Sequence, residues 1–332
     1  MIPSDPTASS TLDRVLVLEM VRVTEAAAVA ASRWIGRGDN DAADAAAVEA
    51  MRAALNELPM DGTVVIGEGE RDEAPMLYIG EKVGSAQGSG PKIDIALDPL
   101  EGTTLTATAG PNALAVLAIA EQGGLLNAPD TYMQKLAVGP GYPDGTIDLE
   151  RPVADNIRAI ATAKGVEPRQ IIACVLDRPR HAELIADLRA LGCGIVLIPD
   201  GDVAGVIATA DPDTSIDVYI GSGGAPEGVL AAAALRCVGG QIQGKLLFRN
   251  DDEIARARRW GIEDLDRVYT LDDMARGDCI FAATGVTDGS LLKGVHRRKE
   301  CVTSETLVMR ASSGTVRRIS TEHYRLGSQR RL

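Results

Sequence analysis

The run Ile93-Asp94-Ile95-Ala96-Leu97-Asp98-Pro99-Leu100-Glu101-Gly102-Thr103 ends in two carboxylates and a hydroxyl. Its first half alternates apolar residues, so it reads as a short strand with Ile93, Ile95 and Leu97 on one face. Pro99 has no N–H to give to a neighbour, and strand pairing is expected to stop there. Gly102 permits a tight turn, which brings Asp98, Glu101 and the Thr103 hydroxyl together at a strand end. Grouped carboxylate oxygens suit hard divalent cations. The same residues would also serve as a plain solvated acidic turn.

A second stretch follows the same plan. Thr63-Val64-Val65-Ile66 reads as a strand that empties into Gly67-Glu68-Gly69-Glu70-Arg71-Asp72-Glu73, where four carboxylates crowd together. Such a cluster repels itself unless cations neutralise it. A third acidic piece, Asp39-Asn40-Asp41-Ala42-Ala43-Asp44, opens an alanine-rich helix. Asp41 and Asp44 there could equally be caps or partners of the helix dipole.

Three motifs in the second half carry further polar groups. Gly221-Ser222-Gly223-Gly224-Ala225-Pro226-Glu227-Gly228 follows a strand and opens a helix, but Pro226 stands where a dinucleotide fingerprint needs glycine. Glu227 at that helix start either complements the dipole or binds a ligand. Asp200-Gly201-Asp202 does not fit a calcium-loop frame. It reads as a simple turn or as acceptors for sugar hydroxyls. Arg178-Pro179-Arg180-His181 is a surface basic turn or a bidentate anion site. No Ser-His-Asp or Cys-His pairing is supported.

These residues need elements to hold them. The periodicity predicts helices over 11–35 and 41–58, a further extended piece over 74–83, and a buried strand over 113–120 that pairs with 93–98. Pro129, Pro140 and Pro143 break the next segment. The turn-rich 139–153 is the expected domain boundary, dividing an N-terminal metal-binding subdomain (1–152) from a C-terminal α/β subdomain (153–332). Beyond it, helix 156–164, strand 171–176, helix 182–191 and strand 195–198 predict a parallel βαβ layout. A strand over 216–220, a glycine-rich loop, a helix from 227 to 238 and a hairpin over 303–319 complete the reading.

Composition narrows the function. A formal charge of −13 on 332 residues argues against nucleic acid, which is held by neutralising phosphates with Lys and Arg. Five cysteines without a C-x-x-C, and no signal peptide, point to reduced cytoplasmic thiols. The three histidines are far apart, which disfavours a His-based zinc site. No apolar run approaches the roughly 20 residues that a membrane span requires.

Taken in order, GRGDNDAAD, VVIGEGERDEAPMLYIGE, DPLEGT, NAPDTYMQKL, RPRH, PDGDVA and GGAPEG make the chain similar to class II fructose-1,6-bisphosphatase, of the lithium-sensitive, metal-dependent sugar phosphatase superfamily. The likeness runs from about residue 12 to the end. It implies alternating α and β layers in two subdomains, with the active site in the cleft between them. It implies hydrolysis of fructose 1,6-bisphosphate to fructose 6-phosphate with two or more Mn²⁺ or Mg²⁺ ions. Asp44, Glu68, Asp98, Glu101 and Glu227 would be the metal ligands. Thr103 would orient or help deprotonate the attacking water, through Asp44, and Asp72 would support the site. Glu101, Gly102, Thr103, Tyr132, Arg178, Pro179, Arg180, Asp200, Gly201, Asp202 and Gly224 would bind the sugar bisphosphate, with the two arginines on its non-reacting phosphate. A homodimer or homotetramer is expected. Asn40 stands where the family pattern has Lys, which weakens the expected attraction for phosphate. Sedoheptulose 1,7-bisphosphate, an inositol monophosphatase-like activity and a non-catalytic sugar-phosphate-binding regulator are the alternatives.

Overall fold

A computed structural model describes residue 12 and residues 14–69 and 76–324. The chain begins with helices α1 (Leu16–Ala31) and α2 (Asn40–Asn56), then strands β1 (Asp61–Ile66), β2 (Lys82–Val83) and β3 (Lys92–Glu101). Short helix α3 (Thr103–Thr108) leads to β4 (Leu114–Glu121) and β5 (Tyr132–Val138). Next come α4 (Val153–Lys164), β6 (Ile172–Leu176), α5 (Ala182–Ala190), β7 (Gly194–Ile198), α6 (Asp202–Ile207), β8 (Val218–Gly224) and α7 (Ala225–Val238). The remainder is β9 (Gln241–Leu247), α8 (Asp251–Arg259), β10 (Val268–Thr270), α9 (Leu271–Met274), β11 (Cys279–Gly285), β12 (His296–Arg297), β13 (Cys301–Arg310) and β14 (Thr315–Tyr324). One sheet runs β12-β13-β11-β4-β3-β1-β2, with β14 also paired to β13; the other runs β10-β9-β5-β8-β6-β7.

Side-chain alternation along the strands explains the layers. Ile93, Ile95 and Leu97 of β3 share a core with Met20 and Ala27 of α1 and Met51 and Leu55 of α2. Ala96, from the opposite face of β3, joins Val116 and Ala118 of β4 and Phe281 of β11 against Val229 and Ala233 of α7. That core also takes in Met133 and Ala137 of β5 and Tyr219 of β8, so α7 is buried between the sheets. Its run Ala231-Ala232-Ala233-Ala234 is small enough for both sheets to approach closely. On the far face, Leu136, Val175 and Ile220 pack on Ile157 and Ile160 of α4 and Ile185 and Leu188 of α5. The result is five layers, α–β–α–β–α, as expected of a layered α/β fold.

The parallel β6–α5–β7 unit and the C-terminal hairpin match the sequence reading. Several details differ. The sheets cut across the expected boundary at residue 152. β5 is central in the second sheet, paired antiparallel to both β8 and β9, while β11 to β14 return to the first. Proline-rich turns break the chain at 139–153, but strand pairing on either side decides where the strands go. Of the extended piece over 74–83, only Lys82–Val83 is a strand among the described residues. Gly221–Gly224 is not a loop; β8 continues through it.

Candidate active site

The motif at the end of β3 forms a kink rather than a stop. The register with β4 shifts between Asp98 and Glu101 across Pro99, and pairing resumes at Glu101 with Leu114, so the expectation that pairing ends at Pro99 is corrected. The Leu100 N–H donates to Asp98 Oδ1 (3.0 Å), fixing the carboxylate in the kink. Gly102 takes φ +87° and caps α3, which starts at Thr103. That left-handed conformation is one that side chains resist. Glu101 projects from β3 towards α6: its Oε1 accepts the Val203 N–H at 3.0 Å, and its Oε2 is buried with no hydrogen-bond partner.

Around this kink the other acidic motifs converge. A cavity of about 350 Å³ is lined by Asp44, Glu68, Asp98, Glu101, Gly102, Thr103, Asp200, Gly201, Asp202, Gly224 and Glu227. Asp39, rather than Asp41 or Asp44, caps α2 by accepting the Ala42 N–H (3.0 Å). Asp41 lies exposed in the first turn. Asp44, one turn further on, is freed from capping and shares a hydrogen bond with Glu68 at the end of β1. Asp72 lies outside the described residues. The glycines of β8 serve these carboxylates: a Cβ at Gly224 would lie 1.9 Å from Glu227 Oε2, and one at Gly223 would lie 2.0 Å from Asp202 Oδ2.

Electrostatics mark the cavity as short of positive charge. Burial, then the negative charge of Glu227, pushes Asp98 up to about 8. Burial, followed by the charges of Asp98 and Asp44, raises Glu68. Burial likewise raises Glu101, Glu227 and Asp44, with Asp202 the next contributor for both Glu101 and Glu227. An all-oxygen donor set with an orphaned buried carboxylate oxygen fits divalent cations. Among the described residues no group of three or more His, Cys, Asp or Glu side chains is arranged as a ready-made cage. Ligands would therefore be drawn from α2, β1, β3 and α7 together.

The two aspartates of Asp200-Gly201-Asp202 divide their work. Asp200 stays at the rim, 3.5 Å from Arg178. Asp202 is buried, bound by Lys135 Nζ and approached by the Tyr219 hydroxyl at 3.4 Å. Lys135 also donates to the Gly224 carbonyl (2.8 Å). Arg180 donates from Nη2 to the Ser222 carbonyl (2.7 Å), and its guanidinium lies 4.9 Å from the Tyr132 ring centre. Behind it, buried His181 lies within hydrogen-bonding distance of the Leu176 carbonyl through Nδ1 and accepts the Ser222 N–H (2.8 Å) at Nε2. Pro179 opens the short turn that carries Arg180. Asn40 donates to Thr104 Oγ1 (3.3 Å), a neutral contact where the family pattern has a cation.

Three polar residues of this region have no role assigned from the sequence: Lys135 and Asp130, which stand inside NAPDTYMQKL, and Arg249, which lies outside every motif. Lys135 carried a readable signal, since it alternates with Met133 and Ala137 on the face that meets α7. Asp130 lines the cavity, and Arg249 lies 5.1 Å from the Tyr132 ring centre. The motif marks the neighbourhood of Asp130 without giving it a role, and nothing local in the sequence distinguishes Arg249 from ordinary loop charge.

Residues 14–323 match the family model described as bacterial fructose-1,6-bisphosphatase, glpX-encoded. The chain is 51% identical over 325 residues to fructose-1,6-bisphosphatase 1 class 2 of Escherichia coli K12, covering 94% of this chain and 96% of that protein. The fructose-1,6-bisphosphatase class 2 of Shigella flexneri aligns to the same extent. A solved structure of extragenic suppressor protein suhB from Bartonella henselae matches with TM-score 0.33 at 16% identity, over 60% of this chain and 74% of that one, which is too slight to carry an argument. With the family model spanning nearly all of it, the chain belongs to the glpX-encoded bacterial fructose-1,6-bisphosphatases.

Proposed function

We propose that the acidic cavity hydrolyses the 1-phosphate of fructose 1,6-bisphosphate, giving fructose 6-phosphate and phosphate. Asp44, Glu68, Asp98, Glu101 and Glu227 hold two or more Mg²⁺ or Mn²⁺ ions. The observation that carries this reading is Glu101 Oε2, buried without a partner in a cavity where burial pushes up Asp44, Glu68, Asp98, Glu101 and Glu227. Bound there, divalent ions supply Lewis acidity at the phosphoryl oxygens and stabilise negative charge on attacking and leaving oxygens.

The side chains supply the rest. Thr103, at the start of α3 on the cavity wall, orients the attacking water, and Asp44 receives the proton that the hydroxyl relays. The water oxygen bonds to phosphorus as the bond to the sugar oxygen breaks; the sugar oxygen takes up a proton from solvent and Asp44 gives its own back to solvent, so no net proton is gained or lost. Arg178 and Arg180, with Tyr132, hold the non-reacting phosphate. Gly102, Gly201 and Gly224 let the sugar approach the backbone, while Asp200 accepts its hydroxyls. Asp202, already engaged by Lys135 and Tyr219, holds the second sheet's side of the cavity in place rather than serving as a free acceptor. Asp72 supports the acidic cluster.

Phosphate release from fructose 1,6-bisphosphate, sedoheptulose 1,7-bisphosphate and inositol 1-phosphate, with and without chelator, tests this. Fructose 1,6-bisphosphate should be cleaved fastest, and only with divalent ion. Faster release from inositol 1-phosphate, or activity that survives chelation, overturns the proposal. Five buried, unbridged cysteines accord with a cytoplasmic setting. No helix among the described residues is long and apolar enough to cross a membrane. A homodimer or homotetramer is tested by light scattering.

A further inference from the structure

Tyr132 stands at the start of the central strand of the second sheet, in register with Gly224 of β8 and Leu247 of β9. Two residues beyond Leu247 comes Arg249, and three beyond Gly224 comes Glu227, so both leave the same edge of the sheet. Asp130, which lines the cavity, lies near enough to both for its charge to act on each. Arg249 thus belongs to the cleft, although no motif contains it.

Its surroundings explain how it is held. Glu253, whose side chain is 1% exposed, accepts the Arg249 Nε–H at 2.6 Å and the Arg249 backbone N–H at 2.7 Å. Thr131 Oγ1 donates to the same carboxylate at 3.0 Å. The Arg249 side chain is nevertheless 59% exposed. Its guanidinium and that of Arg180 lie 5.1 and 4.9 Å from one ring centre, although like charges repel. The hydrogen bonds of Arg180 described above go to neutral Ser222. Glu253 and the nearby Asp130 offset the two guanidiniums in sum, but the pair flanking the Tyr132 ring still forms a two-armed site that a doubly charged anion would bridge, relieving their mutual repulsion.

We propose that Arg249 is a specificity-determining residue that, with Arg180, encloses the non-reacting phosphate of the substrate beside Tyr132. The proposal rests on the reading that Arg180 and Tyr132 face that phosphate. Glu253 is the fixed base that aims Arg249, and Asn250, which caps α8 by accepting the Glu253 N–H (3.0 Å), fixes Glu253 in turn.

The test compares Arg249→Met and Arg180→Met on fructose 1,6-bisphosphate and on fructose 1-phosphate, which lacks the remote phosphate. Arg249→Met should raise KM for the bisphosphate about ten- to hundredfold. It should change KM for fructose 1-phosphate less than about twofold. Arg249→Lys should recover part of the loss. A fold defect from exposing the Glu253 charge would lower activity on both substrates alike, so the ratio separates the two causes. If Arg180→Met splits the substrates and Arg249→Met does not, the Arg249 assignment is overturned and the clamp reading stands. If neither variant splits them, the remote phosphate is not held at Tyr132 and both readings fall.

Discussion

At the floor of the cleft, Asp44, Glu68, Asp98, Glu101 and Glu227 gather with Lys135 as their buried cation, and Lys135 is committed to Asp202. At the rim, Arg178, Arg180 and Arg249 gather around Tyr132 and Asp200, held by Asp200, by neutral Ser222 and by Glu253. The floor therefore carries excess negative charge in a buried setting, where repulsion is strong and an ion can relieve it. The rim carries a group of guanidiniums that are more exposed, where solvent screens them. Such a division fits a substrate with two phosphates in different roles. The phosphate that reacts needs multivalent cations beneath it, and the one that only anchors needs fixed guanidiniums. It also shows how a chain with net charge −13 can bind a polyanion: local arrangement decides, and remote charge is screened within about 8 Å at physiological salt.

The largest expected effect tests the floor. Asp98→Asn should abolish phosphate release while leaving the protein folded. Without metal it should melt higher than wild type, because the cost of burying or protonating that carboxylate is gone, and divalent ion should raise its melting temperature less. A metal-free melting temperature below that of wild type would contradict the picture of unrelieved repulsion. Next in size is Lys135→Met, which leaves Asp202 buried without its cation. Stability in urea should fall by about 3–5 kcal/mol. A loss under about 1 kcal/mol would mean that the pair is not a strut of the floor.

The smallest effect is on pH dependence. Asp98, Glu68, Glu101 and Glu227 are all raised in the folded state, Asp98 from 3.8 to about 8. Groups raised in this way favour the fold when protonated, so their contribution is present at low pH and is lost as pH rises through the folded value. Burial depresses His181 from 6.5, so it works in the opposite direction only below that pH. From pH 6.5 to 8, metal-free protein should therefore lose melting temperature as pH rises, and saturating Mg²⁺ or Mn²⁺ should flatten or reverse the slope, since ions bind the deprotonated carboxylates. A metal-free slope that rises across this window would contradict the direction.

Much of this is readable in the sequence, and the exceptions have physical causes. The β3–β4 pair and the βαβ unit follow from local alternation, which the cores preserve, while the layered class came with the family resemblance. The gathering of Asp44, Glu68, Asp98, Glu101 and Glu227 was legible through the family resemblance; local position alone left Asp44 and Glu227 open as caps or dipole partners. The kink at Pro99 was misread as an end, because a bulge and a strand terminus look alike without the partner strand. The glycines of β8 were misread as a loop, since their purpose is room for carboxylates of α6 and α7. Asp202 looked like the twin of Asp200 until Lys135, 67 residues earlier in the chain, was seen to hold it. The boundary at 152 reflected turn residues, which say where a chain bends and nothing about which sheet it then joins.

The most direct test of the central claim, that chemistry belongs to the floor and anchoring to the rim, is steady-state phosphate release by Thr103→Ala at saturating metal. Thr103 lies on the cavity wall without being one of the carboxylates assigned to metal, so its loss should leave the cations and the arginines in place. Fructose 1,6-bisphosphate turnover should drop by about 10²–10⁴ in kcat with KM little changed, and Thr103→Ser should retain far more activity than Thr103→Ala. A kcat for Thr103→Ala within about twofold of wild type would contradict the assignment of water activation to this end of the cleft.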